Sequence, residues 1–308
     1  PFILNMKSKS YLYRSWIFTA TILAIFAICI GFYIIITKYL TWKSGEIYKE
    51  SFLSKTENKT KVGVVSMMKQ PKDIDVWLKK HRDLGGCHFY IRLEETPELE
   101  DYLDSQQDVT LQKGLSMGIN EYGEIQNRQN KWVDEAFEEA KSDNTDTEWL
   151  IHIDSDEILS GNLKKVQDLP KEVRTFWMPN KEAKFDKIPE KSDQCFQAKT
   201  FAKCGEKDSG CVSYANGKSG GRVSSDVTSF GPHRMKSTNE KDSAKLNDIE
   251  VEHYESCDFD IYKQKFKNLS VQDKNNNIPF SYYNESIDAA KENDDDKLRE
   301  IYSKHRVV

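Results

Sequence analysis

Residues 148–159 read EWLIHIDSDEIL, an apolar run that passes directly into a group of acids. The run predicts a buried strand over residues 149–159. Because side chains two apart on an extended chain point to the same side, Asp154 and Asp156 are predicted to face one ligand together. Carboxylates crowded at the end of a buried strand repel one another, and a divalent cation removes that cost. The stretch therefore predicts a site for Mn²⁺ or Mg²⁺, with a solvated turn that only ends the strand as the alternative.

The sequence around this stretch alternates predicted strands with predicted helices. Apolar runs predict strands at residues 62–68, 88–93 and 109–111, and apolar stripes at helical spacing predict helices at 73–84 and 127–141. This alternation predicts an α/β fold with a mostly parallel sheet and helices on both faces. Ligands of such sheets bind beyond the carboxyl ends of the strands, which is where the acids fall. The polar, Lys-rich residues 181–221 are interpreted as a flap over that site.

Residues 16–37 form an uncharged apolar segment. As a helix it spans about 33 Å, enough to cross a hydrocarbon core of about 30 Å. It predicts one uncleaved transmembrane signal-anchor, with a cleaved signal peptide as the alternative. The predicted organisation is a cytosolic tail at residues 1–15, the anchor at 16–37, a stem at 38–60, a globular domain at 61–270 and a C-terminal extension at 271–308.

Two patterns favour the lumen of the secretory pathway for the globular domain. Acceptor triplets for N-glycosylation begin at Asn58, Asn268 and Asn284. Five of the six cysteines fall after the anchor, and three of them lie within residues 195–211. In an oxidising compartment they predict a disulfide between Cys204 and Cys211, or between one of these and Cys195, whereas the spacing of a zinc site is missing. The protein is therefore expected to be a single-pass type II membrane protein of the Golgi or endoplasmic reticulum.

The charge pattern excludes one class of partner. The net charge is −5, and Lys and Arg alternate with Asp and Glu along the chain. A nucleic-acid binder is expected to carry a basic patch or stripe, so no nucleic-acid partner is predicted.

Further motifs follow in a fixed order over residues 61–267. They are MKQ at 68–70, a W-x-x-x-H-x-x-x-G helix at 77–85, NRQ at 127–129, DSDE at 154–157, NGKS at 216–219 with RV at 222–223, GPH at 231–233 and HYES at 253–256. In this order and spacing the chain resembles nucleotide-sugar glycosyltransferases of the GT-A fold, in the family 2-like and family 92-like group. The resemblance implies a Rossmann-like domain that moves a sugar from a nucleotide-sugar donor to a hydroxyl of a glycan or glycoconjugate.

The resemblance also implies roles for particular residues. It implies metal binding by Asp154, Asp156 and His253, with Asp154 also placed to contact the ribose and His233 as the rival of His253. Imidazole nitrogen is a reasonable Mn²⁺ ligand. Candidate donor-binding residues are Asp73, Glu94, Glu95, Asp154, Lys218 and Arg222. Asp73 is the candidate for the acid of the family's K-N-E motif, where this chain has Gln70.

The general base is not identified by the sequence. An inverting transfer needs one carboxylate to deprotonate the acceptor hydroxyl, and Glu182 and Asp226 are the candidates. The functional alternative is a non-catalytic carbohydrate-binding ectodomain on a transferase fold, because fold does not imply function. A metal-dependent phosphodiesterase is a third hypothesis, and the six scattered histidines disfavour it.

Overall fold

The computed structural model describes residue 36 and residues 60–115, 122–142, 145–189, 195–206, 209–224, 226–238, 242–270 and 281–307. Residues 58–308 form one compact unit. The predicted tail, anchor and stem lie outside the described residues, apart from Ile36 and Thr60. Among the described helices, none has the length and apolar character needed to cross a bilayer.

A seven-stranded sheet forms the centre of the fold. Its strands are β1 (Val62–Lys69), β2 (His88–Glu94), β3 (Val109–Gly114), β4 (Trp149–His152), β6 (Thr175–Met178), β9 (Lys218–Arg222) and β12 (Ser243–Lys245). They are arranged in the order β12-β6-β9-β4-β1-β2-β3. β9 runs antiparallel to both of its neighbours, and the other four neighbouring pairs are parallel. The prediction of an α/β fold with a mostly parallel sheet is confirmed.

A smaller sheet and a hairpin complete the strands. The four-stranded sheet has the order β5-β13-β7-β8, and the hairpin pairs β10 with β11. Their bounds are β5 (Glu157–Gly161), β7 (Asn180–Lys184), β8 (Thr200–Lys203), β10 (Val227–Ser229), β11 (Met235–Ser237) and β13 (Ile249–His253). The prediction of one strand over residues 149–159 is wrong, because the chain turns at Ser155 and Asp156 and the two halves join different sheets.

Seven α-helices and one short 3-10 helix are described. They are α1 (Ile74–Leu84), the 3-10 helix Pro97–Leu99, α2 (Glu100–Asp104), α3 (Tyr122–Ser142), α4 (Lys164–Gln167), α5 (Phe259–Ser270), α6 (Ser281–Glu292) and α7 (Asp295–Arg306). Helix α1 ends at Gly85, whose positive φ of 105° allows its N–H to bond carbonyls of the last turn. The predicted helices at 73–84 and 127–141 are present, the second one longer than predicted.

The core has two layers because successive side chains of β1 face opposite sides of the sheet. Val64 packs with Trp77 of α1 on one face, and Val65 packs with Trp132 of α3 on the other. The Trp132 indole also donates to the Ser66 carbonyl, at 3.0 Å. Helices therefore cover both faces of the sheet, as predicted.

The C-terminal helices form a third apolar cluster with α5. Phe266, Tyr282, Leu298 and Tyr302 are all almost completely buried there. The composition of the tail from Asn275, rich in Asn, Asp and Lys, predicts that it is partly exposed. Residues 281–307 form two helices with one buried and one exposed side, because their apolar residues recur at helical spacing between the charged ones.

Two disulfides are present, Cys195–Cys257 and Cys204–Cys211. The Cys204–Cys211 disulfide is one of the pairings that the sequence predicts. The first joins the segment before β8 to the segment after β13, a pairing that the cysteine spacing does not reveal. Cys87 is buried and belongs to neither disulfide.

Candidate functional site

Parallel strands β1, β2 and β4 end at Lys69, Glu94 and His152, and this side of the sheet is here called the carboxyl edge. Asp154 and Asp156 lie just beyond it. The backbone leaves β4 through a hydrogen bond from the Ile153 N–H to the Val65 carbonyl. A turn follows, closed by the Glu157 N–H donating to the Asp154 carbonyl at 3.1 Å. The turn, rather than an extended strand, carries both aspartates beyond the sheet.

Asp156 and His253 form the more open half of the site. The Asp156 Oδ2 lies 3.7 Å from the His253 Nε2, and the Asp156 side chain is 41% exposed. Strand register explains the approach, because His253 of β13 pairs with Glu157 of β5. The Tyr254 N–H also donates to the Asp156 carbonyl, at 2.8 Å. The His253 Nδ1 lies 3.3 Å from the Ser213 hydroxyl, which leaves Nε2 directed at Asp156.

Lys218 occupies the closed half of the site. Its side chain is completely buried, and its Nζ lies 2.6 Å from Asp154 Oδ2, 3.1 Å from Glu157 Oε2 and 3.2 Å from the Pro232 carbonyl oxygen. An ammonium group has three protons, so these three acceptors use all of them. The sequence predicts that Lys218 holds donor phosphates, and its burial and saturated hydrogen bonds do not support that role.

The turn before β9 explains why a lysine enters the interior. Gly217 has a φ of +63°, and a Cβ there would lie 2.2 Å from the Met178 carbonyl oxygen. Only glycine fits this turn. The Asn180 side-chain oxygen accepts from the Gly217 N–H at 3.1 Å, and its amide donates to the Tyr214 carbonyl. The segment is thereby held so that Lys218 begins β9 facing inward.

The charges in the closed half depend on one another. Burial raises the pKa of Asp154, but Lys218 and His152 outweigh it, so the pKa lies below its usual range. Burial lowers the pKa of Lys218, but Asp154 and Glu157 outweigh it and raise the pKa. Burial raises the pKa of Glu157 and Lys218 opposes that shift. The Asp154–Lys218 pair is therefore ionised at neutral pH.

Sequence reasoning did not single out Gln129 or Tyr214 as site residues. The Gln129 side-chain amide donates to Asp154 Oδ1 at 2.8 Å from helix α3. The Tyr214 hydroxyl donates to Glu157 Oε1, and its ring centroid lies 4.4 Å from that of His233 and 5.2 Å from that of His253. Gln129 falls within a motif of the family resemblance. Nothing in the local sequence distinguishes Tyr214 from other aromatic residues.

Two histidines near Lys218 are neutral. Burial, followed by the charge of Lys218, lowers the pKa of His152 to about 4 and that of His233 to about 3. The His152 Nδ1 lies 3.0 Å from the Pro232 carbonyl oxygen, and the His233 Nδ1 lies 3.2 Å from the Gly217 carbonyl oxygen. Because a carbonyl only accepts, each Nδ1 carries the proton. These contacts leave both Nε2 atoms unprotonated, and His253 is favoured over His233 as a ligand because it is the one with a described contact to Asp156.

A second group of buried charges adjoins His253. The Arg306 guanidinium of α7 donates to both Glu182 and Glu255, and all three side chains are almost fully buried. Glu182 also accepts from the Val212 N–H at 2.7 Å. Burial raises the pKa of Glu182, but Arg306, His253 and Lys184 outweigh it and lower the pKa. A carboxylate without solvent contact and with these partners does not fit the role of general base predicted for Glu182.

Two more predicted site residues lie at the opposite end of the sheet from the aspartates. Because β9 is antiparallel to β4, Arg222 pairs with Trp149, at the start of β4. Its guanidinium lies 4.2 Å from the Trp149 ring centroid and donates to the Val173 and Pro170 carbonyls. Asp226 follows β9 and accepts from the Ser224 hydroxyl. This position does not support the predictions of donor binding for Arg222 and base catalysis for Asp226.

The remaining predicted donor-binding acids are at the carboxyl edge. Glu94 is buried and accepts from the Arg128 guanidinium at 3.0 and 3.2 Å. Glu95 has a positive φ of 46° and lies 2.5 Å from Lys69 Nζ. Asp73 has a positive φ of 47° and precedes α1. These acids therefore share the edge with Asp154.

The three predicted metal ligands do not form one compact group. Among the described residues, two sets of three His, Cys, Asp or Glu side chains have ligand atoms within 4.8 Å of one another. One is Glu182, His253 and Glu255, where Arg306 already supplies the positive charge, and the other is Cys195, Cys257 and Asp258, which contains a disulfide. Asp156 and His253 are close, whereas Asp154 is engaged by Lys218.

Comparisons with known proteins give little further information. No family model matches the chain, and no curated protein matches it. Among solved structures, HddC from Yersinia pseudotuberculosis aligns with a TM-score of 0.27 and 11% sequence identity, covering 47% of this chain and 70% of that chain. A similarity of this size carries no argument about fold or function.

Proposed function

We propose that the protein is a divalent-metal-dependent glycosyltransferase of the GT-A kind, moving a sugar from a nucleotide-sugar to a hydroxyl of a glycan or glycoconjugate. The observation that carries the proposal is the pairing of Asp156 with His253, 3.7 Å apart, at the carboxyl edge of a mostly parallel sheet. Ligands of open α/β sheets bind at this edge. The ordered motifs of residues 61–267 support the same assignment.

The two side chains fit a metal such as Mn²⁺ or Mg²⁺. Adjacent ligand atoms about 2.1 Å from one octahedral ion lie roughly 3 Å apart. The separation of 3.7 Å between Asp156 and His253 is within a small side-chain movement of that distance, and the exposed Asp156 carboxylate is open to a phosphate-bound ion. When bound, the ion neutralises charge that develops on the leaving diphosphate.

Other residues of the site have positioning roles in this proposal. Asp154, held by Gln129 and Lys218, presents its carboxylate to a ribose hydroxyl. Asp73 and Glu95 border the remaining part of the carboxyl edge and contact the nucleoside, whereas Glu94, buried against Arg128, holds that edge from inside. Neither Glu182 nor Asp226 is assigned as the general base. Glu182 is buried in an ion pair with Arg306, and Asp226 follows β9 at the opposite end of the sheet.

The disulfides support a location in the secretory pathway, because such bonds persist in oxidising compartments. In this proposal the segment 16–37 anchors a type II protein whose transferase domain faces the lumen of the Golgi or endoplasmic reticulum. The acceptor is then a glycan or glycoconjugate exposed in that lumen.

The proposal is tested with the full chain purified in detergent. A panel of nucleotide-sugars is screened for hydrolysis and for thermal stabilisation, each with and without Mn²⁺. The wild type is expected to respond to at least one donor, and Asp156→Asn is expected to lose that response. Asp168→Asn, at an exposed aspartate next to α4, is the matched control and is expected to retain it. If Asp156→Asn leaves donor binding and its Mn²⁺ dependence unchanged, the carbohydrate-binding ectodomain becomes the better hypothesis.

A further inference from the structure

The ammonium of Lys218 is coordinated as a bound cation would be. Three oxygens converge on its Nζ within 2.6 to 3.2 Å, from Asp154, Glu157 and the Pro232 carbonyl. They approach from two segments, the turn that links β4 to β5, which carries Asp154 and Glu157, and the β10–β11 loop, which carries Pro232. The cradle is therefore a product of the tertiary fold rather than of one loop.

These oxygens are of the types that hard divalent cations take, namely two carboxylates and a backbone carbonyl. The other contacts of the two carboxylates hold them toward Lys218. Glu157 accepts from the Asp154 N–H and the Tyr214 hydroxyl, and Asp154 accepts from Gln129. The cradle is thus preorganised by groups that do not depend on the ammonium.

The Asp156 carboxylate lies outside this arrangement. Its described contact is with His253, and its side chain is far more exposed than that of Lys218. Lys218 therefore supplies a positive charge of the protein itself beside Asp154 and Glu157. The position between Asp156 and His253 is open to an ion from solution.

We infer that Lys218 fills a cation site of its own, formed by Asp154, Glu157 and the Pro232 carbonyl, so that the metal centre takes a single divalent ion at Asp156 and His253 and Asp154 is not one of its ligands. The cation site of Lys218 is defined by these contacts alone, whereas the single ion at Asp156 and His253 rests on the proposed function.

Two substitutions separate the charge of Lys218 from its volume. Lys218→Ala removes the charge and leaves space among three oxygens, so a divalent ion is expected to enter. Lys218→Met removes the charge but keeps a chain of similar length in the space, so no ion is expected to enter. Both variants leave buried carboxylates without their counter-ion and are expected to be less stable than the wild type.

The experiment counts Mn²⁺ bound to the full chain by electron paramagnetic resonance and calorimetry, and follows Tm with and without Mn²⁺. We expect one ion for the wild type, two for Lys218→Ala and one for Lys218→Met. Saturating Mn²⁺ is expected to raise the Tm of Lys218→Ala by about 5 °C more than that of Lys218→Met. Adding Asp156→Asn is expected to remove the ion of the wild type and to leave one ion in Lys218→Ala.

Equal ion counts and equal Tm responses for Lys218→Ala and Lys218→Met would overturn the inference. If the wild type binds no Mn²⁺ but Lys218→Ala binds one ion that Lys218→Met does not, the cation site of Lys218 is supported and the metal centre of the proposed function is lost. Should Lys218→Ala not fold, the double variant K218A/E157Q keeps the wild-type charge of the cluster, with an amide in place of one carboxylate. A folded double variant that binds no more Mn²⁺, and gains no more in Tm from it, than Lys218→Met also overturns the inference.

Discussion

At the scale of single residues, the imidazole of His81 joins helix α1 to strand β5. Its Nδ1 lies 2.8 Å from the Trp77 carbonyl oxygen, and the Leu159 N–H donates to its Nε2 at 3.0 Å. Both contacts are satisfied only by the neutral ring with its proton on Nδ1. Burial lowers the pKa of His81 to about 3. This outcome agrees with the position of His81 on the apolar face of the predicted helix.

The neutral state of His81 predicts a dependence of stability on pH. Between pH 6.5 and about 3 the unfolded state binds a proton that the folded state does not. Stability from this residue is therefore fully present above pH 6.5 and is lost as the pH falls, by up to about 1.4 kcal/mol per pH unit. His81→Leu is expected to be less stable at pH 7 but to show a shallower decline between pH 6 and 5. Parallel pH profiles from urea unfolding of the two proteins would contradict this.

The residue types at the site were more predictable than their partners. Asp156 is singled out in the sequence by its place after an apolar strand, and His253 by the family resemblance. The partners of Lys218 depend on the Gly217 turn and on a carbonyl from the β10–β11 loop, which no local pattern encodes. The same holds for Arg306, which reaches Glu182 from 124 residues away.

At the scale of elements, the alternation of strands and helices up to residue 142 follows from hydrophobic periodicity, and the structure agrees with it. Prediction fails after that point for a physical reason. β4 and β5 form one apolar run, and the polar turn inside it changes sheets. The direction of β9 was also not predicted, because strand direction is set by tertiary pairing. Since β9 runs antiparallel to β4, Arg222 lies away from the carboxyl edge.

The two disulfides are expected to stabilise the fold unequally. Cys195–Cys257 closes a loop with a sequence separation of 62, and Cys204–Cys211 closes one of 7. Loop-closure entropy predicts a loss of about 4 kcal/mol when the first is removed and about 2.5 kcal/mol when the second is removed. Chemical unfolding of Cys195→Ser/Cys257→Ser and Cys204→Ser/Cys211→Ser measures both. Mass spectrometry of unreduced peptides gives the pairing, and four unlinked thiols would refute it.

At the scale of the whole molecule, α7 joins the C-terminal helices to the site through Arg306. Removing this guanidinium leaves Glu182 and Glu255 buried without their main counter-ion, although Lys265 still contacts Glu255. Arg306→Leu is therefore expected to lower the free energy of unfolding by about 3 to 5 kcal/mol. The double variant R306L/E182Q removes one of the two stranded charges and is expected to recover part of the loss. No recovery would mean that packing of the arginine stem matters more than its charge.

The orientation of the molecule across a membrane gives a further prediction. Asn268 is exposed on α5, where an attached glycan meets no buried surface. If the domain enters the secretory lumen, expression of the full chain in eukaryotic cells should yield a product whose electrophoretic mobility increases after endoglycosidase treatment. Asn268→Gln should remove at least part of that shift. A domain that is unshifted and open to protease from the cytosolic side would contradict the luminal assignment.

The link between Glu182 and Arg306 also bears on how the protein is made. Glu182 leaves the ribosome 124 residues before Arg306. At roughly 5–20 residues per second, this is a delay of about 6 to 25 s. During that time Glu182 lacks the guanidinium that neutralises it in the finished fold. The buried charge beside His253 is therefore neutralised only after α7 has been synthesised.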